Sequence, residues 1–116
     1  MAGLNETAKN AALDHLGTLI THISVHDDDP GPSGDNELSV SREAISWNTA
    51  AGGNLDSIGN QDFTISGGDT VHSVGLWSAS NGGTFYGSKA LPVPETFANG
   101  GTFSVTDFDI NIDDPA

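Results

Sequence analysis

Apolar positions divide the chain into one segment of helical period and a longer stretch of alternating period. Leu4, Ala8, Ala12 and Leu16 recur every four residues, with Ala11 and Leu13 beside them. That spacing predicts an amphipathic helix over residues 4–17. Asn5 stands where an N-cap acceptor is needed, Glu6 suits the positive end of the helix, and Gly17 is a natural stop. The stripe is narrow and mostly alanine, so about three turns of it need a docking surface, on the same chain or on a neighbour. From Leu19 the period becomes two: Leu19, Thr21, Ile23 and Val25 alternate with Ile20, His22, Ser24 and His26, which reads as a strand. Residues 27–36, Asp-Asp-Asp-Pro-Gly-Pro-Ser-Gly-Asp-Asn, can carry neither helix nor central strand. Leu38, Val40, Ile45 and Trp47 read as one long or bulged strand ending near Asn48. Further strands are expected over residues 61–66, 70–79, 84–90 and 102–112.

Glycine pairs at 52–53, 67–68, 82–83 and 100–101 punctuate these strands, and Asn-Gly-Gly-Thr-Phe occurs twice, at 81–85 and 99–103. Asn-Gly supplies the positive φ angles of tight hairpins, so the repeated word is turn chemistry rather than a duplicated domain. Pro92 and Pro94 cannot donate to a ladder, which makes residues 91–95 an edge or a connection. Phe103 and Val105 are odd-numbered whereas Phe108, Ile110 and Ile112 are even, and a bulge near Thr106-Asp107 would reconcile them. One helix followed by about six short strands implies a mainly β fold, an antiparallel β-sandwich or small barrel with one short N-terminal α-helix. Trp47, Phe63, Trp77, Phe85, Phe103 and Phe108 are its expected core anchors. The organisation expected is a single domain over 1–116, with a helical arm over 1–17 and a β-domain over 18–116.

Composition narrows the class. The chain has 116 residues, only 35% of them hydrophobic, with 15 glycines and no cysteine. That is the size of one small domain, without disulfides or thiolate metal sites. Apolar residues come in short groups, far from the roughly 20 in a row that a membrane helix needs. The N-terminus, Met-Ala-Gly-Leu-Asn-Glu, shows neither the basic region nor the apolar core of a secretory signal. Lys9, Arg42 and Lys89 are the only basic residues, and the net charge is −13. Such a surface repels phosphate backbones and anionic headgroups, which argues against direct nucleic-acid or membrane binding.

Several clusters suggest chemistry and lose it on inspection. Asp107, Asp109, Asn111 and Asp113 share one face of a strand, but next-but-one residues lie about 7 Å apart, too far for neighbours to converge on one calcium. A solvated face is the better reading. His22 and His26 are about 13 Å apart on a strand. His26 followed by Asp27, Asp28 and Asp29 is the remaining loop arrangement for a metal. There is no Gly-x-Ser-x-Gly nucleophile turn and no phosphate-cradling Gly-x-x-x-x-Gly-Lys-Ser/Thr. No catalytic residue, metal ligand or cofactor site is assigned.

The order and spacing of several words resemble a family of small virion proteins from tailed phages of actinobacteria. These words are Leu4-Asn5-Glu6-Thr7-Ala8-Lys9-Asn10, Ile20-Thr21-His22-Ile23-Ser24-Val25-His26 and Asp29-Pro30-Gly31 with Gly34-Asp35-Asn36-Glu37-Leu38. They continue with Ser41-Arg42-Glu43-Ala44-Ile45-Ser46-Trp47, Thr70-Val71-His72-Ser73-Val74-Gly75-Leu76-Trp77 and Gly83-Thr84-Phe85-Tyr86-Gly87-Ser88. Proteins similar to this are described as capsid decoration (minor capsid) proteins or small tail proteins. The resemblance implies a non-enzymatic role in the particle. The first expectation is a decoration protein on the capsid exterior, made in the host cytoplasm, bound to the major capsid protein lattice as a homo-oligomer, a trimer being common in that class. Candidate assembly contacts are Leu4, Asn5 and Ala8 in the helix, Pro30 and Pro32 in the first loop, and Pro92 and Pro94 in the second. The alternatives are a tail-tip or baseplate subunit touching host glycan through exposed Tyr86 or Trp77, and a small metal-binding or hydrolase module using His26 and Asp27, Asp28 and Asp29. The absence of coiled-coil heptads or a repeated shaft argues against a fibre.

Overall fold

A computed structural model describes residues 3–112. The Asn5 side chain accepts the Ala8 N–H at 2.9 Å and opens helix α1, Glu6–Leu19. The helix does not stop at Gly17: it runs to Leu19 and closes where the Ile20 N–H donates to the Leu16 carbonyl. Docking overrides the glycine. The last turns lie against the body of the chain, where a Cβ on Gly17 would meet Trp47 and Leu55 at 3.5 Å. Leu13 is fully buried with Ala50 and Leu55, so the helix packs in cis.

Among the described residues nine strands follow: β1 His22–His26, β2 Glu43–Ala44, β3 Ser46–Trp47, β4 Asn54–Ile58, β5 Gln61–Ile65, β6 Asp69–Trp77, β7 Phe85–Phe97, β8 Gly101–Val105 and β9 Asp109–Asn111. They form a four-stranded sheet of order β2-β1-β6-β7, a three-stranded sheet β3-β4-β9 and a pair β5-β8. All pairings are antiparallel. The fold is mainly β and sandwich-like, with no closed barrel among the described residues.

The long strand expected over 38–48 breaks in two. Glu43–Ala44 pairs with β1 and Ser46–Trp47 with β4, and Ile45, buried between them, is where the chain changes sheets. The last expected strand divides in the same way. β8 pairs with β5, whereas β9 pairs with β4. The change of apolar face around residue 106 is thus a move from one sheet to another rather than a bulge. Phe108 marks the corner, its N–H donating to Ser57 Oγ at 2.9 Å. Strand β4 was not expected, since only Leu55 and Ser57 turn inward from it. β7 runs through both prolines as an edge strand. Val71 pairs with Glu95 but Ser73 with Ala90, so residues 91–94 bulge out opposite His72 alone.

The core lies between the four-stranded sheet and the β5-β8 pair. Ile23, Val25, Val74 and Leu76 meet Phe63, Ile65, Phe103 and Val105 there. β5 alternates cleanly, with Gln61, Phe63 and Ile65 inward. β1 and the end of β6 do not, because both faces of that sheet are covered. The second face carries Ser24, His26, Gly75 and Trp77, and the loop over 27–36 closes it with buried Pro30. Of the expected anchors, Phe63, Trp77, Phe103 and Phe108 are buried, while Trp47 and Phe85 are half-buried.

Candidate functional site

The covered second face holds the densest polar chemistry of the chain. The His26 Nδ1 lies 2.7 Å from the Asp35 carbonyl, which can only accept, so this nitrogen carries the proton. Nε2 is then an acceptor, and Ser24 Oγ donates to it at 2.6 Å. The same oxygen accepts the Trp77 indole N–H at 2.7 Å. A serine hydroxyl on a histidine nitrogen has the connectivity of a nucleophile and its base. Here Ser24 and His26 are 1% and 0% exposed, so no substrate reaches them. The pair is a fastening that holds the loop down on β1 and β6. Burial holds the imidazole below its usual pKa, with Arg42 adding to the effect, against the Asp35 carbonyl bond and the carboxylates of Glu37 and Asp27, which pull upward.

Arg42 covers the outer side of this network. Its guanidinium carbon sits 3.7 Å from the Trp77 ring centroid, and its Nε and Nη2 donate to the two Glu37 oxygens at 2.9 and 3.0 Å. Nη1 donates to the Ala79 and Gly82 carbonyls at 2.9 and 2.8 Å. One side chain therefore ties the segment after the first loop to the turn after β6, with indole stacking and bidentate bonding that suit arginine and not lysine. Sequence reasoning gave Arg42 no role. An arginine in a chain of three basic residues, between Glu37 and Glu43, was the available signal.

In the loop arrangement considered as an alternative metal site, His26 with Asp27, Asp28 and Asp29, both imidazole nitrogens are already engaged in hydrogen bonds. Carboxylates converge elsewhere. Asp56 on β4 pairs in register with Asp109 on β9, and Asp107 precedes β9. Oxygens of the three lie within 4.8 Å of one another. Spacing along one strand could not show this, because the third acid comes from the neighbouring strand. Asn111 pairs with Asn54, whose amide donates to Asp109 Oδ1 at 3.3 Å, and Asp113 lies outside the described residues. Hydrogen bonds to Asp107 and then to Asp109 push the Asp56 carboxyl up to about 6. The proximity of the two neighbouring carboxyls favours the protonated form of Asp56.

The candidate assembly contacts fall in three places. Leu4 is half-exposed, ahead of the helix, with Asn5 occupied as its N-cap and Ala8 half-buried. Pro30 is fully buried under its own loop and offers no surface, whereas Pro32 is exposed. In the folded chain Pro30 is thus not a surface residue. Pro92 and Pro94 are exposed on either side of Val93, which is 75% exposed on the bulge of β7. Of the two aromatics considered for glycan contact, Tyr86 is exposed and Trp77 is buried beneath Arg42. No described helix is long and apolar enough to cross a membrane.

The family described as Podophage GP4 fiber I protein gp80 matches the chain over residues 3–113, and the chain belongs to this family. It is a phage virion structural protein. The match names neither an actinobacterial host nor a place on the capsid. No curated protein matches the chain.

Proposed function

We propose that the chain is a small globular subunit of a tail-associated fibre of a podophage particle, joined to its neighbours by non-covalent contacts and without catalytic function. The observation that carries this reading is the family match over 3–113, whose description is of a fibre protein. The shape is compatible: the principal extents are 48 × 26 × 24 Å. The described residues contain no shaft, α1 being 14 residues long, so the subunit serves as a junction or end piece. Exposed Leu4 and the Pro92-Val93-Pro94 bulge are the contacts it offers to other virion proteins.

Head decoration is the second reading. It is favoured by the same lack of a shaft and by a charge of −13 suited to an outer face. Its partner would be the major capsid lattice, with many weak copies, as trimers, summing their contacts. Immunogold electron microscopy of intact particles with antibody against this chain separates the two. Label confined to the tail is expected, whereas dense label over heads would replace the fibre reading with decoration.

A further inference from the structure

The five-residue word that occurs twice stands in two different turns. Asn81-Gly82-Gly83 lies between β6 and β7, and Asn99-Gly100-Gly101 leads from β7 into β8. Both asparagines are exposed, and neither side chain makes a hydrogen bond among the described residues. The difference lies in the backbone nitrogen that follows. The Gly100 N–H donates to the Phe97 carbonyl at 3.1 Å, and a Cβ on Gly100 would meet the Ile65 carbonyl oxygen at 3.0 Å, so this peptide is held against the end of β5. The Gly82 N–H meets no acceptor among the described residues, and a Cβ there would find nothing within 4 Å. A glycine nitrogen without a shielding Cβ can close on the side-chain carbonyl of the asparagine before it, the reaction that makes asparagine labile in proteins.

We propose that Asn81 is a site of spontaneous deamidation that loosens the turn held by Arg42, and that the fold protects Asn99 from the same reaction. Solvent base removes the Gly82 amide proton, and the nitrogen attacks Asn81 Cγ. The new N–Cγ bond forms as the Cγ–Nδ2 bond breaks, and the side-chain nitrogen leaves as ammonia. Water then opens the cyclic imide. Attack at Cγ gives aspartate, whereas attack at the backbone carbonyl gives isoaspartate, whose chain continues through Cβ and Cγ. One water is consumed and one ammonia released, with nothing oxidised or reduced. At Asn99 the Gly100 N–H must first leave the Phe97 carbonyl, so the step waits on local opening. At Asn81 the product falls between two carbonyls that share one donor. Arg42 Nη1 reaches Ala79 at 2.9 Å and Gly82 at 2.8 Å, and isoaspartate inserts an extra backbone carbon between them. The bridge that keeps Arg42 over Trp77 is thereby weakened. The inference goes beyond the fibre reading and does not rest on it.

The test incubates the full chain at pH 8.5 and 37 °C, folded in one series and in concentrated guanidinium chloride in another. Trypsin separates the two sites, because cleavage after Arg42 and Lys89 puts Asn81 in peptide 43–89 and Asn99 in peptide 90–116. Tandem mass spectrometry then follows the amide-to-acid conversion at each asparagine, and an isoaspartyl methyltransferase labels the isoaspartate. In the folded chain Asn81 should react at least about tenfold faster than Asn99, the protection that one committed hydrogen bond in a packed turn provides. In guanidinium the two rates should converge, since both asparagines precede glycine and the turns are gone. The aged chain should melt lower than the fresh one, and Asn81→Ser, which cannot form the imide at this position, should keep its melting temperature through the same incubation. Similar rates at the two sites in the folded chain, no reaction at Asn81 there, a difference that persists in guanidinium, or an equal fall in melting temperature for Asn81→Ser overturns the proposal.

Discussion

Replacing Ser24 by alanine tests whether the sealed polar network holds the fold together. The hydroxyl stands between two groups that have nowhere else to turn. It accepts from the Trp77 indole at 2.7 Å and donates to His26 Nε2 at 2.6 Å. The imidazole cannot change tautomer, because Nδ1–H is committed to the Asp35 carbonyl. Ser24→Ala therefore strands one buried donor and one buried acceptor, in a gap the size of a single oxygen that is too small for water. Each stranded group costs about 1–3 kcal/mol, so a loss of about 3 kcal/mol is expected. With an unfolding entropy of about 2.1 cal/mol/K per residue, a chain of 116 residues melts about 4 °C lower for each kcal/mol, hence about 12 °C lower here. Calorimetry and urea titration at pH 7.5 provide the measurement. Ser104→Ala, which removes an exposed bond to Asp62, should shift stability by less than about 0.5 kcal/mol. If Ser24→Ala costs less than about 1 kcal/mol, the network is not cohesive and the reasoning fails.

Three further outcomes follow from named contacts. Burial lowers the folded pKa of His26, so the stability tied to its neutral form is complete above the unfolded value of about 6.5 and is lost as pH falls below it. The melting temperature should therefore drop on acidification from pH 7 to 5, most clearly on an Asp56→Asn background, and a flat profile there would refute the assignment. Asp56 has the opposite sign: its carboxyl is raised from 3.8 to about 6, so its contribution is present at low pH and declines as pH rises through that window. Asp56→Asn should flatten that decline and raise the melting temperature at pH 7, because an amide donates to Asp107 and Asp109 without charge, and an unchanged profile would refute the raised Asp56 carboxyl. Gly34→Ala places a Cβ 2.5 Å from the Trp77 ring at φ +78°, combining left-handed strain with overpacking, for a loss of about 2–5 kcal/mol by urea titration. A loss under about 1 kcal/mol would mean that the loop yields easily.

What the sequence made legible follows from how local the determining forces are. The N-cap at Asn5, the strand at β1 and the alternation of β5 were readable because capping and period-two burial are properties of neighbouring residues. The edge position of β7 was readable from Pro92 and Pro94 for the same reason. The helix end was misread because Gly17 lies inside a contact with Trp47 and Leu55 that begins thirty residues away. The two strand breaks were misread because sheet changes at Ile45 and Phe108 depend on which partner strand is nearest, and apolar pattern does not record that. The acidic cluster and Arg42 share this origin. Asp56 meets Asp109 only through a strand pairing, and Arg42 reaches Ala79 and Gly82 only after the first loop has folded over β6.

β7 shows how the same residues both prevent and permit association. It is an edge strand of 13 residues, and an edge of that length exposes a row of backbone donors and acceptors on which another strand could grow. Pro92 and Pro94 remove two donors, and the register shift between Val71 and Ser73 lifts residues 91–94 out of the plane of the sheet. Unregulated strand addition is thereby blocked at the middle of the edge. The same bulge holds Val93 outward between two stiff rings, where little side-chain entropy remains to be lost on contact. A partner docking here, as proposed, would meet apolar side chains rather than a shared ladder. A surface of net charge −13 further resists contact between copies, which favours a partner that brings opposite charge around an apolar socket. Such a division, backbone denied and side chains offered, suits a phage virion structural protein.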